Sequence, residues 1–96
     1  MSEYINNLSK AIAAMHNCRP IHFGSEKVTE SFNGELVWSG DVEIFQIEGH
    51  PKANIAYGWA WEDEGKEIQY IGILKVPPVE SPNDAVKAAI ASGKFG

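Results

Sequence analysis

Residues 53–76 read A-N-I-A-Y-G-W-A-W-E-D-E-G-K-E-I-Q-Y-I-G-I-L-K-V. Two apolar runs rich in aromatic and β-branched residues flank a polar segment that contains a glycine, which is the pattern of an antiparallel hairpin. The runs predict one strand from about Ala53 to Trp61 and another from about Ile68 to Val76. A polar turn over 62–66 joins them.

The register of this hairpin is predicted from where the bulky side chains would fall. A turn of two or four residues places Trp59 opposite Tyr70 and Tyr57 opposite Gly72, where the phenol ring would cover the glycine. In this register one face of the two strands carries the large residues Tyr57, Trp59, Trp61, Tyr70 and Leu74. The other face carries the smaller but still apolar Ala56, Gly58, Ala60, Ile71 and Ile73.

Two longer strands are predicted before the hairpin, from about Ile21 to Phe32 and from about Leu36 to Glu48. Between them lies Asn33-Gly34, a pair that tolerates the positive φ angles of a tight hairpin turn. The apolar residues of the second strand change parity near Ile44. This change predicts either a bulge or bend at that point or a strand end that is buried on both faces.

A helix is predicted at each end of this four-strand series. Apolar residues at helical spacing predict the first from about Glu3 to His16, with Ser2 as its N-cap and Asn17 as its end. The second follows Ser81-Pro82, an N-cap and first helical residue, and stops at Gly93. The chain is therefore predicted to be a single α+β domain over 1–96. Its architecture is a four-stranded antiparallel meander flanked by an N-terminal and a C-terminal helix (αββββα).

Composition limits the classes of function. The chain has 96 residues, 44% of them apolar, and a formal net charge of −5. Such an acidic chain with scattered basic residues is a poor phosphate binder, so we expect no nucleic-acid partner. Without an apolar run of ~20 residues we expect no membrane partner. A single cysteine and an N-terminus without a secretory signal favour a cytoplasmic location.

The sequence contains one group of metal-ligand residue types, His16, Cys18 and His22, across the end of the first helix. The paired spacings of zinc sites are missing, so we predict no metal and no cofactor. Cys18 beside His22 or His50 would have the residue types of a thiolate–imidazole pair, but no activating environment is evident. We therefore predict no catalytic residue and favour a binding protein over an enzyme.

The most unusual stretch runs from Trp38 to Trp61 and combines aromatic residues with a Gly-His-Pro-Lys turn. In one interpretation the aromatic residues form the core and the turn only reverses the chain. In the other, the turn presents polar groups at the rim of an aromatic groove that takes a small ligand, for which a cation would suit exposed indoles. The candidate binding residues are His50, Lys52, Trp38, Trp59, Trp61 and Tyr57.

The same stretch carries a resemblance to known proteins. Residues 38–53 read W-S-G-D-V-E-I-F-Q-I-E-G-H-P-K-A. This run resembles a W-x-G-x-V-E-x-F-x-x-x-G-H-P-K-A motif in an uncharacterised family of short bacterial hypothetical proteins. The resemblance covers roughly residues 17–92 and implies one domain. Proteins of this kind are found on plasmids or in integron gene cassettes, and the resemblance implies no chemistry.

Three functional hypotheses follow. The first is a non-catalytic binding or interaction protein that forms a homodimer. Both faces of the sheet carry apolar residues, and the second helix offers only a narrow apolar stripe (Val86, Ala89 and Ile90). Because this stripe is too narrow to cover a whole face, a second subunit would help to cover it. The alternative is a monomer with its helices on opposite faces. The second hypothesis is a small-ligand-binding protein or small enzyme with a pocket beside the aromatic hairpin. The third is an acidic inhibitor or nucleic-acid mimic. An unidentified small molecule or protein is thus a further expected partner.

Overall fold

Two helices lie on opposite faces of a four-stranded antiparallel sheet in the computed structural model of the chain, which describes residues 2–93. Residues 1 and 94–96, which the single-domain prediction includes, lie outside the described residues. The strands follow one another in the sheet in chain order. The predicted αββββα architecture is confirmed. Its elements are α1 (Glu3–His16), β1 (Arg19–Phe32), β2 (Glu35–Glu48), β3 (Ile55–Glu62), β4 (Ile68–Leu74) and α2 (Pro82–Ala91).

Local sequence signals set both helices, and these predictions are confirmed. The Ser2 hydroxyl accepts a hydrogen bond from the first turn of α1, and Asn17 ends that helix in the left-handed region with a φ of 51°. The Ser81 hydroxyl accepts from the backbone N–H of Asp84 at 3.1 Å. Gly93, with a φ of 72°, lies one residue beyond the C-cap of α2. Side-chain caps and left-handed residues satisfy backbone groups that a helix end leaves unpaired.

The β1–β2 hairpin turns at Asn33 and Gly34, with φ angles of 53° and 79°, as predicted. Phe23 is an extra residue in β1 opposite the Ile44 end of β2, and Val37 is a second extra residue, in β2. The first irregularity lies where the sequence predicts one. Around the parity change β2 is also buried on both faces, since Val42 packs with residues of α2 and Phe45 with residues of α1, whereas Gln46 and Glu48 beyond them are exposed.

The predicted register of the β3–β4 hairpin is wrong by one residue. Trp59 lies opposite Ile71 rather than Tyr70, and Gly72 lies opposite Gly58 rather than Tyr57. The connecting loop is Asp63–Glu67, one residue longer than the longer of the two predicted turns. The Asp63 carboxylate accepts a hydrogen bond from the Glu67 backbone N–H at 2.9 Å, and the Asp63 backbone N–H donates to the Glu67 carbonyl oxygen at 2.9 Å. These two bonds close the loop at this length.

The physical reason for this error is that both faces of the sheet are covered. The predicted register places all the large side chains of the hairpin on one face. That arrangement is required only when the other face is exposed to solvent. Tyr57, Trp59 and Trp61 do share a face, but their partners toward α2 are Ile71 and Ile73. Tyr70 and Leu74 lie on the α1 side instead, beside the small residues Ala56, Gly58 and Ala60.

The small residues of β3 and β4 let α1 approach the sheet closely. A Cβ atom added to Gly58 would lie 2.9 Å from Ile12 Cδ1, and one added to Gly72 would lie 2.9 Å from Ile12 Cγ1. The paired glycines therefore form a depression that holds the Ile12 side chain, which is fully buried. The α1-side core consists of Leu8, Ile12, Phe45, Ile47 and Ala56. The α2-side core consists of Val28, Val42, Tyr57, Trp59, Ile71, Val79, Ala85, Val86 and Ala89.

Strand ends differ from the predictions by up to two residues. β1 begins at Arg19 rather than Ile21, and β2 begins at Glu35 rather than Leu36. β3 spans Ile55–Glu62, so Ala53 belongs to the preceding loop. β4 ends at Leu74, so the loop to α2 is longer than the sequence indicated.

Candidate functional site

A cleft opens where β2 and β3 separate. These two central strands pair only from Glu43–Gln46 to Ile55–Gly58, and β2 then stays with β1 while β3 stays with β4. Strand-edge groups beyond Glu43 and Gly58 consequently face a gap instead of a neighbouring strand. This gap, here called the strand cleft, has a volume of about 520 Å³. Its walls include Tyr4, Trp38, Asp41, Glu43, Trp59 and Trp61.

Aromatic rings form one wall of the strand cleft. The Trp38 and Trp59 ring centroids are 5.5 Å apart with an interplanar angle of 62°, an edge-to-face contact that aromatic pairs favour. The Trp38 indole lies over Gly40, because a Cβ atom there would be 3.0 Å from Trp38 Cη2. Trp59 is only 2% exposed, and its indole N–H has no hydrogen-bond partner among the described residues.

The polar wall contains two carboxylates and a phenol. Glu43 is buried, and its Oε1 lies 2.8 Å from His22 Nε2. Asp41 is exposed and lies two residues along the strand, on the same face. Tyr4 of α1 reaches the cleft, where burial, and next the charge of Glu43, raises the pKa of its hydroxyl. The phenol is therefore neutral at physiological pH and can donate a hydrogen bond.

The six predicted binding residues do not form one site. Trp38, Trp59 and Trp61 share the strand cleft. Tyr57 is buried in the α2-side core. His50 and Lys52 belong to the β2–β3 loop, at the opposite end of β3 from Trp61.

The loop residues line a separate hollow of about 320 Å³, whose wall also includes Lys75. In this hollow the backbone N–H of Lys52 donates to His50 Nδ1 at 3.0 Å. The predicted polar rim and the aromatic wall are thus two separate places in the molecule. The loop does more than reverse the chain, since it holds the His50 ring in an edge contact with the ring of His16, 6.4 Å away.

The histidines and the cysteine considered as metal ligands are held apart by other contacts. His16 Nε2 lies 2.7 Å from the Gly72 carbonyl oxygen, and His22 contacts Glu43. Within residues 2–93, no group of three or more His, Cys, Asp or Glu side chains is arranged to hold a metal ion. Cys18 packs against the α1-side core, with its sulfur 4.0 Å from the Ile12 carbonyl oxygen.

We expect Cys18 to react slowly with thiol reagents in the native protein. Burial raises the pKa of its thiol, so the reactive thiolate is scarce at neutral pH. The measurement is the rate of reaction with a chromogenic aromatic disulfide, compared between native protein and protein in denaturant. Fast stoichiometric reaction of the native protein, with a lowered thiol pKa, would contradict this expectation.

Sequence reasoning identified the indoles of the strand cleft but not its polar wall. The sequence places Asp41 and Glu43 on one face of the second strand, but nothing local indicates that either carboxylate is desolvated, so neither is among the candidate binding residues. The available signal is that Glu43 has the same parity as Phe45 and Ile47, which places it in line with core residues. The spacing of Tyr4 makes it one of the apolar residues of the first helix, and no local pattern indicates that it reaches β3.

The strand cleft can therefore bind a small molecule by aromatic contact, carboxylate charge and backbone hydrogen bonds. It shows no nucleophile paired with a base among the described lining residues, which are aromatic, acidic or small. No protein-family model, curated protein or solved structure matches this chain.

Proposed function

We propose that this chain is a non-catalytic binding module that self-associates as a homodimer through one end of its sheet. The observation that carries the proposal is an apolar surface on the α2 side of the sheet that α2 leaves partly open. We call it the sheet patch. It consists of Ile21, Phe23, Ile44, Ile55 and Ile73.

The strand register supports the continuity of the sheet patch. Ile44 lies beside Tyr57, which lies beside Ile73, and all three face the α2-side core. In the next row on the same face the exposed, uncharged Gln46 lies between Ile21 and Ile55, so these two apolar side chains flank one polar group. The exposed fractions are 41% for Ile21 and 66% for Phe23. Large apolar side chains that lie side by side on a surface are typical of an interaction site.

A second copy of the chain is the occupant that fits the sheet patch best. The five patch side chains carry no charge, so two copies related by a twofold axis can meet there without opposing like charges, despite the net charge of −5. Association through the β1 edge is less favourable. Pro20, the extra residue Phe23 and the exposed Lys27 are features that protect an edge strand against pairing.

The helix arrangement changes the argument for a dimer. The helices cover opposite faces, the arrangement expected of the monomeric alternative, and α2 buries more of the sheet than its narrow stripe suggested. The sheet patch is therefore the apolar part of the sheet that a second subunit would cover. A local patch of this kind supports a reversible dimer rather than an obligate one, because stable interfaces bury roughly 800 Å² per partner.

Light scattering after size-exclusion chromatography tests self-association. At tens of micromolar we expect a mass near twice the 10.5 kDa of one chain. Phe23→Asp places a charge in the sheet patch and is expected to give the monomer mass. Phe32→Asp is the matched control, because Phe32 is equally exposed, at 69%, but lies at the far end of the hairpin.

Two outcomes would overturn the proposal. One is a wild-type mass near 10.5 kDa throughout the concentration range. The other is a dimer that Phe32→Asp dissociates and Phe23→Asp leaves intact, which would move the interface to the hairpin tip.

The strand cleft favours a second function, small-ligand binding, alongside self-association. The third hypothesis, an acidic mimic, gains no support from the acidic side chains whose contacts are described. Glu43 contacts His22, Glu48 pairs with Arg19, and Asp63 and Asp84 hold backbone N–H groups. Neither helix of residues 2–93 is long and apolar enough to span a bilayer. A cytoplasmic location and a bacterial origin on a mobile gene cassette belong to the proposal as well.

A further inference from the structure

The strand cleft has the chemistry of a site for a positively charged guest. Its wall includes the faces or edges of four aromatic residues and the carboxylates of Asp41 and Glu43, and none of its lining residues is basic. Aromatic rings attract cations through their negative faces, and the attraction is strongest for indole. Two basic residues border the acidic wall: His22 is hydrogen-bonded to Glu43, and Lys27 lies opposite Asp41 in β1.

The two carboxylates differ in what they can offer a guest. Glu43 is buried and its carboxylate is hydrogen-bonded to the His22 ring, so it is fixed in position. Asp41 is exposed on the same wall, and its carboxylate has no ion-pair partner within 4.0 Å among the described residues. Asp41 is consequently the group that would balance the charge of an entering cation.

Trp59 provides a second, independent indication of a ligand. This indole is 2% exposed, lines the strand cleft, and has an N–H group without a hydrogen-bond acceptor among the described residues. A buried donor that lacks an acceptor destabilises the folded protein. A guest with an oxygen atom near its charged group would supply the missing acceptor.

We propose that the strand cleft binds a small organic cation that carries an oxygen acceptor, of the alkylammonium alcohol class. The ammonium group lies in the gap between β2 and β3, with the indoles of Trp38 and Trp61 on its α2 side and Asp41, its counter-charge, on its α1 side. The structure buries the Trp59 N–H, so the oxygen accepts from it once the indole shifts to expose this group to the strand cleft. This proposal gives the ligand-binding function a ligand class and is independent of self-association, since the strand cleft and the sheet patch share no residue.

Fluorescence titration with choline tests the proposal on the whole protein. All three tryptophans of the chain line the strand cleft, so intrinsic emission reports this one site. We expect saturable quenching by choline that weakens as salt is added. The neutral carbon isostere of choline, with a tert-butyl group in place of trimethylammonium, is expected to bind about tenfold more weakly or not at all.

A pair of variants locates the site. Asp41→Asn keeps the shape of an exposed side chain and is expected to weaken choline binding about fivefold or more. Glu35→Gln removes the same charge at the hairpin turn, outside the cleft lining, and should leave binding unchanged. Circular dichroism confirms that both variants fold.

Three results would overturn the proposal, and light scattering on the same samples keeps the test of self-association separate. The first is no saturable change in fluorescence at millimolar choline. The second is equal binding of choline and its neutral isostere, which would mean an apolar site without cation recognition. The third is equal weakening by Asp41→Asn and Glu35→Gln, which would mean that only net charge matters.

Discussion

Replacing Phe45 with alanine is expected to lower the free energy of unfolding by about 3–5 kcal/mol. Phe45 is fully buried between the sheet and α1, in a core with Leu8, Ile12 and Ile47, and its ring makes an edge contact with His22. Truncation removes the apolar contact area and leaves a cavity, because the flanking strand and helix cannot collapse fully into it. Urea unfolding followed by circular dichroism measures the change.

Phe32→Ala is the control for this prediction. Phe32 is 69% exposed at the hairpin tip, so its truncation is expected to cost less than about 1 kcal/mol. Comparing the two variants separates the effect of burial on stability from the effect of removing an aromatic ring from a strand. Equal losses for the two variants would mean that the α1-side core is not packed as described.

The second large effect is expected at Gly58, where alanine should cost about 1–3 kcal/mol. The added Cβ would lie 2.9 Å from Ile12 Cδ1, 3.2 Å from Leu8 Cδ1 and 3.3 Å from the Ile71 carbonyl oxygen. The two side chains are fully buried and the third contact is backbone, so the new methyl group must displace Ile12 and Leu8, or α1 as a whole. The measurement is again the free energy of unfolding in urea.

Two further variants make this prediction specific. Gly24→Ala, in β1, places a methyl group where no atom lies within 4 Å, so it should change stability by less than about 0.5 kcal/mol. Ile12→Val removes the Cδ1 atom that the new methyl group meets most closely. The double variant Gly58→Ala, Ile12→Val should therefore lose less stability than the sum of the single variants. Strict additivity would show that the close approach of α1 is not the cause.

The elements that local chemistry specifies could be predicted from the sequence. Ser2 and Asn17 bound α1 at the predicted residues, and Asn33-Gly34 forms the predicted turn. The β3–β4 register was not predictable in the same way, because it depends on which faces of the sheet are covered. A local pattern cannot show that α1 and α2 lie on opposite sides. The reason for the facing pair Gly58 and Gly72 is clear only from the structure, where the Ile12 side chain packs over both glycines.

The candidate site shows the same division. Aromatic residues that alternate along β3 were visible in the sequence, and Trp59 and Trp61 do line the strand cleft. The cleft itself arises from the early end of β2–β3 pairing at Glu43 and Gly58, which no motif encodes. Sequence proximity also placed His50 with these indoles. An eight-residue strand separates them, because β3 carries the chain away from the loop before Trp61 is reached.

The position of α1 constrains how the chain can fold during synthesis. α1 leaves the ribosome before any strand, yet the carbonyl that meets His16 belongs to Gly72, 56 residues later. Isolated helices of this length are marginal in water, so α1 gains lasting stability only when β3 and β4 can receive it. Nascent chains stalled before β4 should consequently expose Leu8 and Ile12, which makes them natural clients for holding chaperones.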